Sequence, residues 1–114
     1  MSEISCNLRY EYWIDVSLGK KTVEGRLCVG IKWPKLKPGD ILIISCSDRF
    51  GLTPIKKTVH DIHRYNSFCD MITTEGLHNI FPSKDVVLDA IDEYLSIFKL
   101  GDDKNLPVMA ILIQ

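Results

Sequence analysis

Nowhere in this sequence do about eighteen apolar residues follow one another, the least that a membrane-spanning helix requires. The first residues, Met1 to Leu8, include Glu3 and Asn7 and hold no apolar run of signal-peptide length. The expectation is an intracellular protein, cytoplasmic or nuclear, with no membrane association. Its cysteines, Cys6, Cys28, Cys46 and Cys69, make no C-x-x-C pair, so neither a zinc knuckle nor a dithiol redox motif is signalled. Cys6, Cys28 and Cys46 fall in apolar, strand-like segments, where a reduced cysteine behaves as a small hydrophobe, and the set is read as buried free thiols. Internal repeats, low-complexity tracts and linkers are absent, which removes solenoids and arrays. Large net charge is absent as well, and a formal −1 argues against a strongly basic nucleic-acid binder.

What is present is ordinary globular usage: 114 residues, 46% hydrophobic and 25% charged, enough for one core but not comfortably two. Residues 1–114 are therefore read as a single domain. The charge is unevenly spread. Residues 1–65 hold 11 Lys/Arg against 7 Asp/Glu, a net +4, whereas residues 66–114 hold 3 against 8, a net −5. If folding keeps that polarity in space, one face attracts phosphate; otherwise the molecule has two solvated faces of opposite sign.

Residues 4–10 read as a short strand, after which Trp13 and Val16 fall at helical spacing and Gly19 stands where a C-terminal cap would. Thr22 to Val29 alternates, which puts Glu24 and Arg26 on one face of a strand. Lys32 to Asp40, with its prolines and Pro-Gly step, is a loop. Ile41 to Cys46 reads as a central strand. Pro54 to Ile62 reads as another, with a phase slip that predicts a bulge near His60 or Asp61. Ser67 is placed to cap a short helix that Gly76 ends, and Ser83 to cap a longer one with Val87, Ile91, Tyr94, Leu95 and Phe98 on its apolar stripe. Pro107 to Ile113 closes the chain as an apolar strand. Strands with interspersed short helices point to an α+β fold.

Gly19 to Arg26 gathers three cations, Lys20, Lys21 and Arg26, and one carboxylate, Glu24, around a helix-to-strand turn. Two apart on one strand face, Glu24 and Arg26 can pair and leave further guanidinium donors for a phosphate or a base edge. A surface ion pair that only holds the fold closed is the plainer alternative. In this stretch the sequence resembles the ASCH (activating-signal-cointegrator homology) family of the PUA-like superfamily, whose hallmark G-x-K-x-x-E-x-R is matched by Gly19, Lys21, Glu24 and Arg26. Leu36-Lys37-Pro38-Gly39-Asp40 is similar to the family's L-x-x-G-D step, and Tyr65-Asn66-Ser67-Phe68 to its Y-x-S-F step. Trp13, Val16, Glu75-Gly76-Leu77 and Pro82 also fall where members carry like residues, so the resemblance covers nearly the whole chain. It implies a small PUA-like β-barrel of about five to six strands with about two to three flanking short helices.

The resemblance implies RNA or nucleotide binding in a cationic cleft at the barrel mouth, with Lys20, Lys21, Glu24, Arg26, Trp33, Tyr65 and Ser67 as its candidate residues. Trp33, in a proline-stiffened loop between Lys32 and Lys35, is either a base-stacking platform or a cover for one end of the core. A second set of relatives implies hydrolysis of modified nucleosides such as acetylated cytidine, through a Lys, a Thr and a Glu. Lys21 and Glu75 match two of these, but Glu24 stands where the hydroxyl would be, and a carboxylate does not simply replace it. Protein interaction is the third reading. His60 and His63, three apart on a strand, face opposite sides without a neighbouring acid or thiol at ligand spacing, and His78 has no convergent partner. No metal and no cofactor are expected.

Overall fold

The apolar runs Ile41–Cys46 and Val108–Ile113 become strands, the first burying alternate residues and the second buried nearly throughout. The computed structural model describes residues 1–114. In chain order the elements are β1 (Glu3–Leu8), α1 (Tyr10–Ser17), β2 (Val23–Leu27), a 3₁₀ turn (Trp33–Lys35), β3 (Ile41–Cys46), β4 (Ile55–Tyr65), α2 (Phe68–Glu75), α3 (Leu77–Ile80), α4 (Val87–Ile97) and β5 (Val108–Ile113). The strands form one five-stranded sheet in the order β1-β3-β4-β5-β2. Only β1 and β3 run parallel; the other pairs are antiparallel. The sheet curls into a half-barrel flanked by the helices, the α+β, PUA-like architecture that the resemblance implied. No helix is long and apolar enough to cross a membrane.

The long strand β4 gives the half-barrel its bend. Its first residues pair with β3, and the remainder, from Val59 to Tyr65, pair with β5. The register shifts between Val59 and Asp61, so His60 is the extra residue of a bulge, which kinks the strand and raises its twist. The bulge resets the alternation, and this is why the strand runs on to Tyr65 past the expected end at Ile62. At the two edges, β1 and β2, side chains bridge the seam. Arg26 donates to the Asn7 carbonyl at 3.0 Å, and Lys32 Nζ to the Ser5 carbonyl at 2.6 Å. Two carbonyls of an edge strand thus gain donors that a neighbouring strand would otherwise supply.

Leu42 and Ile44 of β3, Met109 and Ile111 of β5, Val16 of α1 and Phe68, Met71 and Ile72 of α2 are wholly buried between sheet and helices. The Trp13 indole donates to the Ile44 carbonyl at 3.1 Å and fixes α1 against β3. Ser67 caps α2 as expected, accepting from the Asp70 amide at 3.0 Å. Asp103 takes the Phe68 and Cys69 amides at 2.8 and 3.1 Å, so a carboxylate sits at the positive end of that helix.

Some expectations need correction. Four α-helices are present rather than two to three, because α3 forms a single turn directly after Gly76 that no apolar period announces. Helix α4 starts from Val86 without a side-chain cap, not from Ser83, since Lys84 is drawn into a turn by its bond to the Phe81 carbonyl at 3.1 Å. The cysteines are all free, but only Cys6 is buried, and burial there pushes its thiol up to about 11. Cys28, Cys46 and Cys69 are half-buried, because they sit at a strand end or on an outward-facing helix position.

Candidate functional site

Gly19, at φ +75°, lets the chain leave α1 in a left-handed turn that few other residues tolerate. The two lysines that follow part company. Lys20 stays exposed, whereas Lys21 is 3% exposed and turns inward. Its ammonium donates to the Val23 and Ile80 carbonyls at 3.0 and 2.7 Å and lies 3.5 Å from Glu24 Oε1. Those neighbours account for its three hydrogens. Burial lowers the Lys21 pKa below the usual lysine value, against the pull of Glu24.

Glu24 is held from three sides. Its Oε1 also accepts the Gly25 amide at 3.1 Å, and its Oε2 accepts from Arg26 at 3.2 Å. Both hydrogen bonds that Arg26 makes come from Nη2, which leaves Nε and Nη1 without a protein acceptor. Burial works most strongly against the guanidinium charge, but Glu24, joined by Cys6 and Tyr94, leaves the Arg26 pKa above its ordinary value. The Arg26 guanidinium lies 5.0 Å from the Trp33 ring centroid and Lys32 Nζ 4.8 Å from it, so the half-buried indole is a cation–π partner for both.

A cavity of about 420 Å³ opens on this triad. Lys21, Glu24, Gly25 and Arg26 form its floor, Tyr12, Phe81, Tyr94 and Phe98 its aromatic walls, and Arg9 and Glu93 its outer part. Gly25 is required there. A Cβ would lie 2.5 Å from the Tyr94 hydroxyl oxygen and 2.6 Å from Met71 Cε, so only glycine lets Tyr94 close against β2. Phe68 stacks on Tyr94 at 4.4 Å and fixes the ring from behind. The Tyr94 hydroxyl has no hydrogen-bond partner, and burial holds its pKa well above the usual value. At the outer end Arg9 forms a close ion pair with Glu93 and a second, at 3.1 Å, with Glu11.

The remaining candidates lie elsewhere. Tyr65 and Ser67 do not reach the cavity: Ser67 caps α2, and the Tyr65 hydroxyl donates to Glu75. Asp61, His63 and Tyr65 share one face of β4 by strand alternation. His63 Nδ1 meets Glu75 at 2.6 Å and its Nε2 meets Asp61 at 3.1 Å. The expectation that His63 lacks an acidic neighbour is thereby corrected, since one comes from the same strand face and the other from the end of α2. The bond to Glu75 is the main cause of a raised His63 pKa, while burial pushes Tyr65 up to about 12 with Glu75 adding to it. Glu75 borders a second pocket of about 320 Å³ with His60, Thr22 and Asn79. Lys21 and Glu75, matched to one site by the hydrolase resemblance, thus face different cavities. No group of three or more His, Cys, Asp or Glu residues is arranged to hold a metal ion.

Arg9, Tyr12, Glu93 and Tyr94 were not singled out by the sequence. Arg9 and Glu93 are separated by 84 positions, and nothing local links them. Tyr94 read as a member of an apolar stripe; a phenol in such a stripe, whose hydroxyl needs a partner, was the signal available.

Among solved structures, the chain is similar over its whole length to hypothetical protein PH0355, at 31% identity and a TM-score of 0.80, covering 98% of that protein. Protein PF0455 from Pyrococcus furiosus is 31% identical with a TM-score of 0.74, over 98% of this chain and 96% of that one. ASCH from Zymomonas mobilis shares the fold at 18% identity and a TM-score of 0.66, over 98% of this chain and 66% of that one. No family model and no curated protein matches the chain.

Proposed function

The chain belongs to the ASCH family, and from that premise we propose that it is a nucleic-acid-binding module that takes a nucleotide, free or within single-stranded RNA, into the cavity above the Lys21–Glu24–Arg26 triad. The observation that carries this reading is a buried Glu24 carboxylate, paired with a partly exposed Arg26 that it orients, on the floor of a cavity of about 420 Å³. That volume lies in the range of small-molecule sites. Aromatic walls suit a planar ring, and a base drawn out of its strand is read in the same way, by stacking and by hydrogen bonds to its edge. Here Glu24 accepts from a ring or exocyclic N–H, and the Nε and Nη1 hydrogens of Arg26 go to a carbonyl or ring nitrogen.

Trp33 lies behind Arg26, with Lys32 and Lys35 beside it in the sequence. A neighbouring nucleotide stacks on it in place of Lys32 Nζ, which lies 4.8 Å from the ring centroid, as bases stack on aromatic platforms in single-strand binders. An RNA partner places the protein in the cytoplasm or nucleus. Binding of a short single-stranded RNA, followed by calorimetry at increasing salt, tests the reading. Affinity falls with salt as phosphate contacts require, and Arg26→Ala lowers it by about tenfold or more, the loss expected of a charge-assisted hydrogen bond. Unchanged affinity in a folded Arg26→Ala variant rules this site out.

A further inference from the structure

The cavity holds two Arg–Glu pairs, not one. Glu24 and Arg26 make the first on its floor, where the carboxylate side chain is 4% exposed. Arg9 and Glu93 make the second where the cavity meets solvent, with side chains 47% and 23% exposed. We propose that Arg9 is the phosphate-binding residue of this site and that Glu93 holds the phosphate's place until the ligand arrives. The proposal rests on the cavity being a nucleotide site.

Every polar contact of Arg9, to Glu93, to Glu11 at 3.1 Å and to the Tyr12 hydroxyl at 3.3 Å, is made by Nη2. The Nε and Nη1 hydrogens have no acceptor in the protein. Once Glu93 moves aside, Glu11 can keep one Nη2 hydrogen while the other joins Nη1 in a fork of the width that two phosphate oxygens span. The guanidinium lies 5.3 Å from the Tyr12 ring centroid, which fixes it on the cavity wall. Exchanging one oxyanion for another keeps Arg9 paired at each stage, and Glu93 regains water when it leaves.

Solvation decides which Arg–Glu pair takes the phosphate. On the floor a phosphate would lose its water and meet the Glu24 carboxylate, whereas beside Arg9 it stays largely hydrated. The ring, which has less hydration to lose and an edge that needs Glu24, takes the floor. This orientation also leaves the sugar-phosphate chain pointing outward. The monoester of a free nucleotide and the diester of an RNA both present a pair of non-bridging oxygens to Arg9, the monoester with the greater charge.

Calorimetric titration of the whole protein with the four ribonucleosides, their 5′-monophosphates and a short single-stranded RNA tests this. For whichever base binds, the monophosphate should be favoured over its nucleoside by about tenfold or more. Arg9→Ala should abolish that preference and leave nucleoside affinity within about twofold. Glu93→Gln, which keeps the shape and removes the competing charge, should widen the preference by about threefold. RNA affinity falling together with that of the monophosphate supports the proposal with the diester included; RNA unaffected by Arg9→Ala supports it for the monoester alone. A preference that survives in Arg9→Ala, while Arg26→Ala abolishes nucleoside binding, overturns the Arg9 assignment and leaves the cavity reading standing. Absence of binding by nucleoside, monophosphate and RNA overturns both. If Arg9→Ala does not fold, Glu93→Gln decides alone, and an unchanged or narrowed preference overturns the proposal.

Discussion

Glu24 and Glu75 are both carboxylates with less than a tenth of the side chain exposed, 4% and 8%, yet they are held by opposite means. Glu24 is bracketed by Lys21 and Arg26, cations from its own stretch of chain, and one of them is a guanidinium that stays charged at any working pH. Glu75 is bracketed by Tyr65 and His63, brought to it by β4, and the imidazole, whose pKa the bond to Glu75 raises, changes its charge with pH. The first is an ion cluster anchored by a guanidinium at the bottom of a cavity. The second braces α2 against β4. Two carboxylates that family resemblance assigns to one site therefore sit in different settings, one on the floor of the cavity of about 420 Å³ and the other between β4 and the end of α2.

The largest expected effect separates the two directly. Glu24→Ala leaves the Lys21 ammonium buried without its counterion, which should cost ~3–5 kcal/mol in urea denaturation. Glu75→Ala removes hydrogen bonds from groups that water can partly reach, and should cost ~1–2 kcal/mol. Equal costs, or the reverse order, break the distinction between the two carboxylates.

Next in size is the packing that shapes the Glu24 cavity. Gly25→Ala forces a methyl into Tyr94 and Met71 and should cost ~1–3 kcal/mol. Tyr94→Phe removes a hydroxyl that has no partner, so it should leave the melting temperature unchanged or raised. Combined with Tyr94→Phe, Gly25→Ala should cost less than it does alone, because the oxygen it strikes is gone. Strict additivity would contradict the close approach of Tyr94 to β2.

The smallest effect sharpens the Glu75 side. The His63 pKa lies above its ordinary 6.5, chiefly through its bond to Glu75. A raised pKa means that the pairing contributes fully below the unfolded value and fades as pH climbs through the folded one. His63→Ala should therefore be more destabilising near about pH 6 than near about pH 9. The ring is 41% exposed, so the difference should not exceed ~1 kcal/mol after solvent screening. A cost that grows with pH contradicts the assignment.

The legible parts of this molecule are those whose geometry is local. Glu24 and Arg26 lie two apart on a strand, so a shared face follows from alternation alone, and the slip at His60 showed as a break in the same period. Ser67 and Gly76 lie at the ends of an apolar helical pattern and mark its limits. Lys21 was legible as a cation at the turn but not as a buried one, because which of two adjacent lysines turns inward depends on the left-handed step at Gly19 and on an Ile80 carbonyl 59 residues away. The Arg9–Glu93 pair left no local trace, since it exists only once the residue preceding α1 is brought to α4. Glu75 was matched to Lys21 by resemblance, and only the path of α2 and α3 shows that it turns toward His63 and Tyr65 instead.

The distinction between the two carboxylates is tested most directly by amide chemical-shift mapping during titration with a ribonucleoside monophosphate or a short single-stranded RNA. Binding in the Glu24 cavity predicts perturbations grouped on residues 7–9, 21–26 and 93–98, with residues 60–65 and 75–79 unmoved. Perturbations centred on His60, His63 and Glu75, with the Lys21–Arg26 stretch unmoved, would contradict it.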